Sequence, residues 1–281
     1  MGILTRILKV MAALMTSNVV NLATKLVLPP IFLFIYGTTL YGEWIALSGA
    51  VAYLSTLNFG IQTYVTQDLT VRYQRNELGP YHLQQSTSLR LLLAILGSAA
   101  VVCLVVFKLP VESWLRLTLS HHVTSLTLYF LSLQVLLGVL FGYFTGMFMV
   151  FSRAHAGVLW VNGLRLTVVA VTSAGAWLRF SFPLLAGLQA SLYLVGIFLV
   201  LLHLRHAAPE IFPRITLWDR TAVRAILKPS SYFGLISMST FLSFEIPVLI
   251  LQREAGAFIV VAFTAMRTIF SMSRFILIGP T

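Results

Sequence analysis

The sequence predicts an all-α fold, a polytopic integral membrane helical bundle of about eight transmembrane helices, six forming a first lobe and two beginning a second. Three observations carry this. Hydrophobic residues make up 58% of the chain and charged residues 10%, with a mean hydropathy of +0.91, a balance that no soluble core absorbs. Apolar runs reach the roughly 20 residues that a helix needs to cross hydrocarbon. The alternation of apolar and polar positions over about ten residues that marks a transmembrane β-barrel is missing.

The eight runs cover about 11–36, 41–66, 88–107, 123–151, 156–178, 182–203, 230–251 and 257–278, and the longer ones imply tilt or kinks. The first follows Arg6 and Lys9, as a signal peptide's would, yet it is about twice the length of an h-region and carries Asn18, Asn21 and Lys25, so it reads as a retained helix. Pro29 with Pro30 in the first run, and Pro247 in the seventh, each remove a backbone hydrogen bond and permit a kink. In the second run Glu43 and Asp68 lie near opposite ends, where charge is cheap. Interfacial solvation is expected for both, with an outer gate at Glu43 and a salt bridge from Asp68 to Arg72 or Arg75 as the alternatives. Cys103, the single cysteine, lies inside the third run, reads as a small buried hydrophobe and forms no intrachain disulfide. Gly138, Gly142 and Gly146 give the fourth run a smooth face for close helix packing. His121 and His122 sit in a loop with no nearby Cys or acidic partner in sequence, so no metal site is expected there.

The longest polar connection, 204–229, divides the chain into a six-helix lobe (1–203), a cytoplasmic amphipathic linker (204–229) and the first two helices of an incomplete second lobe (230–281). Within the linker, TLWDRTAVRAILK (216–228) places Trp218, Ala222, Val223, Ile226 and Leu227 on one helical face and Arg220, Arg224 and Lys228 on another, with Asp219 as N-cap. That pattern predicts an interfacial helix lying on the membrane.

Basic residues set the orientation. With a cytoplasmic N-terminus, eleven of the 19 Lys and Arg fall in inner segments and four (Lys108, Arg116, Arg179, Arg253) in outer ones, the other four lying within runs. The net charge of +11 is therefore read as a topology signal with attraction to anionic membrane lipids, and nucleic acid is not an expected partner. A shift of 219 residues places Lys9 on Lys228, Trp44 on Phe263 and Lys25 one position from Glu245. The related pairs are offset by six runs, an even number, so the repeat is parallel, with a pseudo-axis along the membrane normal and a substrate site between lobes near the midplane.

Lys25, Glu245 and Arg267 lie at that depth. A charge at the bilayer centre costs about 3 kcal/mol on insertion scales, so such residues usually face a bundle interior or a wet pathway. Arg267 offers a planar fork of donors suited to phosphate oxygens, and Lys25 is the second candidate. Lys25 and Glu245 are alternatively a structural ion pair or a gate, and Glu245 alone a coupling carboxylate, since burial raises a carboxyl pKa. Arg165 either lines the same cleft or pairs within the bundle, and Arg274 snorkels toward the helix end. Asn18 and Asn21 either bond hydroxyls of a polar ligand or bond between helices.

The segment LPPIFLFIYGTTLYGEWIALSGAVAYLSTLNFGIQTYVTQDLTVRYQRNE (28–77) resembles the opening of the polysaccharide-export branch of the multidrug, oligosaccharidyl-lipid and polysaccharide exporter superfamily. The resemblance rests on a Pro-containing first helix, the turn at Tyr36-Gly37, Tyr41-Gly42 with Trp44, the Phe59-Gly60 pair, and Arg75-Asn76. ILKPSSYFGLISMSTFLSFEIPVLILQREAG (226–256) and TAMRTIF (264–270) are similar to the start of that family's second lobe. The resemblance implies a Wzx-type flippase of the bacterial cytoplasmic (inner) membrane. Its cargo would be an undecaprenyl-pyrophosphate-linked oligosaccharide repeat unit, moved by alternating access for surface polysaccharide such as O-antigen lipopolysaccharide. It further implies no cofactor, coupling to a proton or sodium gradient, and a polysaccharide polymerase and chain-length proteins as partners. Lys25, Arg267, Arg165, Asn18 and Asn21 are then the substrate-binding candidates, with Glu245, Glu43 and Asp68 for coupling or gating. Relatives carry twelve or more helices, so a truncated inactive product, a scaffold of polysaccharide assembly and a multidrug exporter stand as alternatives. No Gly-rich phosphate loop, nucleophile motif or poised carboxylate pair occurs, and no enzyme activity is expected.

Overall fold

A computed structural model describes the backbone of residues 3–58 and 60–278, and side chains over 11–13, 15–58 and 60–270. Phe59, Gly279 to Thr281 and the side chains of Arg6, Lys9 and Arg274 lie outside the described residues. The regular elements among the described residues are all helices, with no strand. Six segments are long and apolar enough to cross a membrane: Met11–Gln74, Leu78–Lys108, His121–Val150, Ala154–Trp177, Phe182–Ala207 and Arg220–Ala255; the described part of the last apolar helix, Ala257–Phe270, is shorter. The eight-run count is thus met in part.

Helix α1 (Ile3–Ala52) keeps helical dihedrals through Pro29 and Pro30 and departs from them at Gly37, with φ 77° and ψ 175°. A straight helix separates residues twelve apart by about 18 Å, yet the Phe32 and Trp44 ring centroids lie 5.6 Å apart, so the chain folds back at Gly37. Its second arm continues through a 3-10 turn (Tyr53–Asn58) into α2 (Ile61–Gln74). Next come α3 (Leu78–Val102), the short α4 (Val111–Trp114), α5 (His121–Val150), α6 (Ala154–Trp177) and α7 (Phe182–Ala207). Helix α5 is the central post, burying Leu131, Leu136, Phe141, Tyr143 and Phe148. Its glycine face serves packing within the chain: a Cβ on Gly142 would lie 2.5 Å from Gln62 Nε2 and one on Gly146 2.8 Å from Thr66 Oγ1, both on α2.

Helix α8 (Arg220–Phe244) is capped by Asp219, whose side chain accepts from Thr221 N at 2.8 Å. The donors on Thr221 hold the Asp219 carboxyl below the usual carboxylate range. Contrary to the separate interfacial helix expected over 216–228, α8 runs unbroken through Pro229, and the boundary placed at 229/230 falls inside it. The preceding linker is tied to a buried polar ladder on α3: Arg214 N donates to Gln85 Oε1 (3.0 Å) and Asp219 N to Thr87 Oγ1 (3.2 Å).

Helix α9 (Ile246–Ala255) carries Pro247 in its first turn, and α10 (Ala257–Ile278) follows Gly256. Gly256 has φ 83° and ψ 173°, nearly the dihedrals of Gly37 and 219 positions after it. The shift seen in the sequence therefore also superposes the two backbone reversals. The units pack reciprocally, α1's first arm against α10, its second arm against α9, and the 3-10 turn and α2 that continue it against α8.

Both reversals occupy a backbone region that only glycine enters without strain. A Cβ on Gly37 or Gly256 meets no atom within 4 Å, so the strain is isolated from any clash. Gly37→Ala and Gly256→Ala are expected to lower stability by about 1–3 kcal/mol each. Gly97→Ala, in open space inside α3, is expected to be neutral or stabilising; thermal melts of purified protein followed by monodisperse elution check all three.

Candidate functional site

At 100° per residue Asn18, Asn21 and Lys25 share one face of α1's first arm. Lys25 is exposed and makes no ion pair among the described residues. It lies on a groove of about 220 Å³ whose walls are Leu26, Pro29, Pro30, Leu33 and Tyr41 of α1 and Val261, Thr264, Ala265, Thr268 and Ile269 of α10. The Thr264 hydroxyl is buried there without a hydrogen-bond partner. One cation and a free hydroxyl set in mostly apolar walls suit a ligand that is anionic at one point and hydrocarbon elsewhere.

Arg267 is committed elsewhere. Its Nη1 donates to the Phe244 carbonyl at 2.6 Å, its Nη2 lies 3.9 Å from Glu245 Oε1, and the guanidinium sits 5.8 Å over the Phe244 ring. Helix α8 ends at Phe244 because Pro247 has no N–H to return to the preceding turn, and Arg267 supplies a donor where the helix breaks. Glu245 therefore pairs with Arg267, and the expected Lys25–Glu245 bridge is not formed. The pair is 31% and 28% exposed, a setting in which the charge interaction itself contributes little. Thr264 and Thr268 face α1 while Arg267 turns toward α8, so Lys25 and Arg267 do not converge on one point.

Arg165 lines a second cavity, of about 480 Å³, with Ser55, Asn58, Gln62, Gln134, Thr145 and Tyr193. Its Nη1 donates to Asn21 Oδ1, so the Asn21 amide is used for an inter-helix bond, and Arg165 belongs to the bundle interior rather than to the Lys25 groove. Asn18 is half-buried on the same α1 face. Sequence reasoning missed Asn58, Gln62, Gln134 and Tyr193; the signal available was each polar group's position inside an apolar run. Asn58 also caps α2, accepting from Gln62 N at 3.0 Å.

The remaining acidic candidates separate. Asp68 pairs with Arg72 at 2.7 Å, as one alternative required. Glu43 is 1% exposed, against the solvated position expected of it, because residues 115–120 fold over it: Thr118 N donates to Oε1 at 2.5 Å while Oε2 is buried without a partner. His121 does have an acidic neighbour, Glu112 Oε2 at 3.0 Å from Nδ1. The His121 contact holds the Glu112 carboxyl below its usual range. No cluster of three or more His, Cys, Asp or Glu suited to a metal occurs among the described residues.

Comparison with family models, curated proteins and solved structures finds no match to this chain.

The Glu43 contact ties the 115–120 loop to the bundle. Glu43→Leu removes the acceptor and leaves Thr118 N unpaired, a loss expected to cost about 1–3 kcal/mol; faster trypsin cleavage after the exposed Arg116, with Glu43→Gln close to the parent, is the outcome that checks it.

Proposed function

We propose that the chain acts as a flippase or exporter carrying a lipid-linked, pyrophosphate-bearing oligosaccharide across the bacterial cytoplasmic membrane by alternating access. The reading takes the chain as eight passes with a cytoplasmic N-terminus, following the distribution of Lys and Arg. Lys25 is the observation that carries it: a cation at midplane depth, unpaired among the described residues, in a groove with apolar walls. A dianionic headgroup cannot cross hydrocarbon alone. Lys25 offers it a charge-assisted hydrogen bond and Thr264 a hydroxyl, while a prenyl chain follows Leu26, Leu33 and Ile269. The neighbouring cavity of Asn58, Gln62, Gln134 and Tyr193 offers donors and acceptors to sugar hydroxyls. Arg267 supports this arrangement by holding the α8–α9 break that sets α10 against α1.

The test expresses the chain in a flippase-deleted bacterium with its own sugar pathway and measures lipid-linked repeat unit reaching the outer leaflet of spheroplasts. Lys25→Ala is expected to reduce translocation about 10- to 100-fold, the loss of one charge-assisted contact, with Lys108→Ala unchanged. Absence of translocation by stably inserted parent protein overturns the reading.

A further inference from the structure

We infer that the cavity enclosed by the ends of α2, α5, α6 and α7 is a second ligand site, for a phosphate-class anion. It holds about 680 Å³ and is lined by Tyr73, Ser152, Arg153, His155, His203 and Glu210, a volume within the range of small-molecule sites. It lies at the opposite end of the bundle from Gly37, beside the 204–219 linker, and shares no residue with the Lys25 groove or the Arg165 cavity.

The donor set argues for an anion. The Trp160 indole N–H lies 2.9 Å from His203 Nδ1. An indole nitrogen only donates, so Nδ1 accepts and the neutral ring carries its proton on Nε2. Trp160 does not line the cavity whereas His203 does, leaving the Nε2–H edge as the one available to a ligand. Arg153 stands 5.6 Å over the Phe151 ring, a cation–π contact that orients its fork. His155 lies in the first turn of α6, whose leading N–H groups have no side-chain cap, adding the positive end of a 24-residue helix. Against these donors stands a single carboxylate, Glu210, already accepting from Tyr73 Oη at 2.6 Å. A divalent cation would find one engaged acid and an arginine. A phosphate or pyrophosphate finds a guanidinium, two imidazoles and the positive end of α6.

The same chemistry is offered by a lipid headgroup and by a soluble phosphate, and binding at equilibrium is independent of transport. The experiment titrates inorganic pyrophosphate calorimetrically into the full chain held in phosphatidylcholine nanodiscs at fixed ionic strength. Saturable binding is expected, weakened about tenfold by Arg153→Gln and by His155→Gln and unchanged by Arg179→Gln at the far end. Repeating it with phosphatidic acid in the nanodisc identifies the source: competition assigns a lipid headgroup, its absence a soluble phosphate, and either upholds the site. No saturable binding to monodisperse parent protein, or binding that both variants leave intact, overturns it.

Discussion

The close approach of the stretch running from α1's second arm into α2 to α8, α9 and α10 is the contact on which the rest of the molecule depends. In lipid, helices gain nothing from hiding apolar surface from one another, so association rests on small residues that let backbones meet. Three glycines provide this, Gly42 and Gly49 on the arm and Gly60 at the cap of α2. A Cβ on Gly42 would lie 2.5 Å from the Ala257 carbonyl oxygen, one on Gly49 3.2 Å from Glu245 Oε2, and one on Gly60 2.6 Å from the Ser230 carbonyl oxygen. The two chains of contact points run in opposite directions, as two hairpins related by the 219-residue shift require. With that seam closed, α10 is brought alongside α1's first arm and the Lys25 groove exists.

Irregularities in the helices decide which charges are free. Arg267 and Arg165 are the more strongly donating side chains, and both are absorbed: one by the carbonyl left at the α8 break, the other by Asn21. Glu43 is consumed in holding a loop, and Asp68 in an intrahelical pair. Lys25, with a flexible stem and three donors, remains unpaired among the described residues. At equal depth the guanidinium's donor fork ranks Arg267 above Lys25; the local backbone reverses that order.

Much of the architecture was legible because its causes are local. Composition and run length foretell the helices, Asp219 its cap, and Gly138, Gly142 and Gly146 a close-packed face. The sites were less so, since pairing is tertiary. Nothing near Glu43 in sequence announces that Thr118 will reach it, nor near His121 that Glu112 stands nine residues away in a hydrogen bond. The boundary between the first two runs, 36–41, matches the departure at Gly37 inside what is otherwise one continuous helix. That glycine was also visible: it aligns with Gly256 under the same shift that pairs Lys9 with Lys228.

Cysteine cross-linking in native membranes tests the seam most directly. In a Cys103→Ser background, Gly49→Cys and Val248→Cys place two thiols at positions where a Cβ on Gly49 lies 3.7 Å from Val248 Cγ1, within reach of a disulfide. The account predicts a rapid intrachain cross-link on mild oxidation, and none in a control that combines Gly79→Cys with Val248→Cys, since a Cβ on Gly79 meets no atom within 4 Å. Failure of the 49–248 pair to close, or its closing only between chains, would contradict the reciprocal packing from which the groove follows.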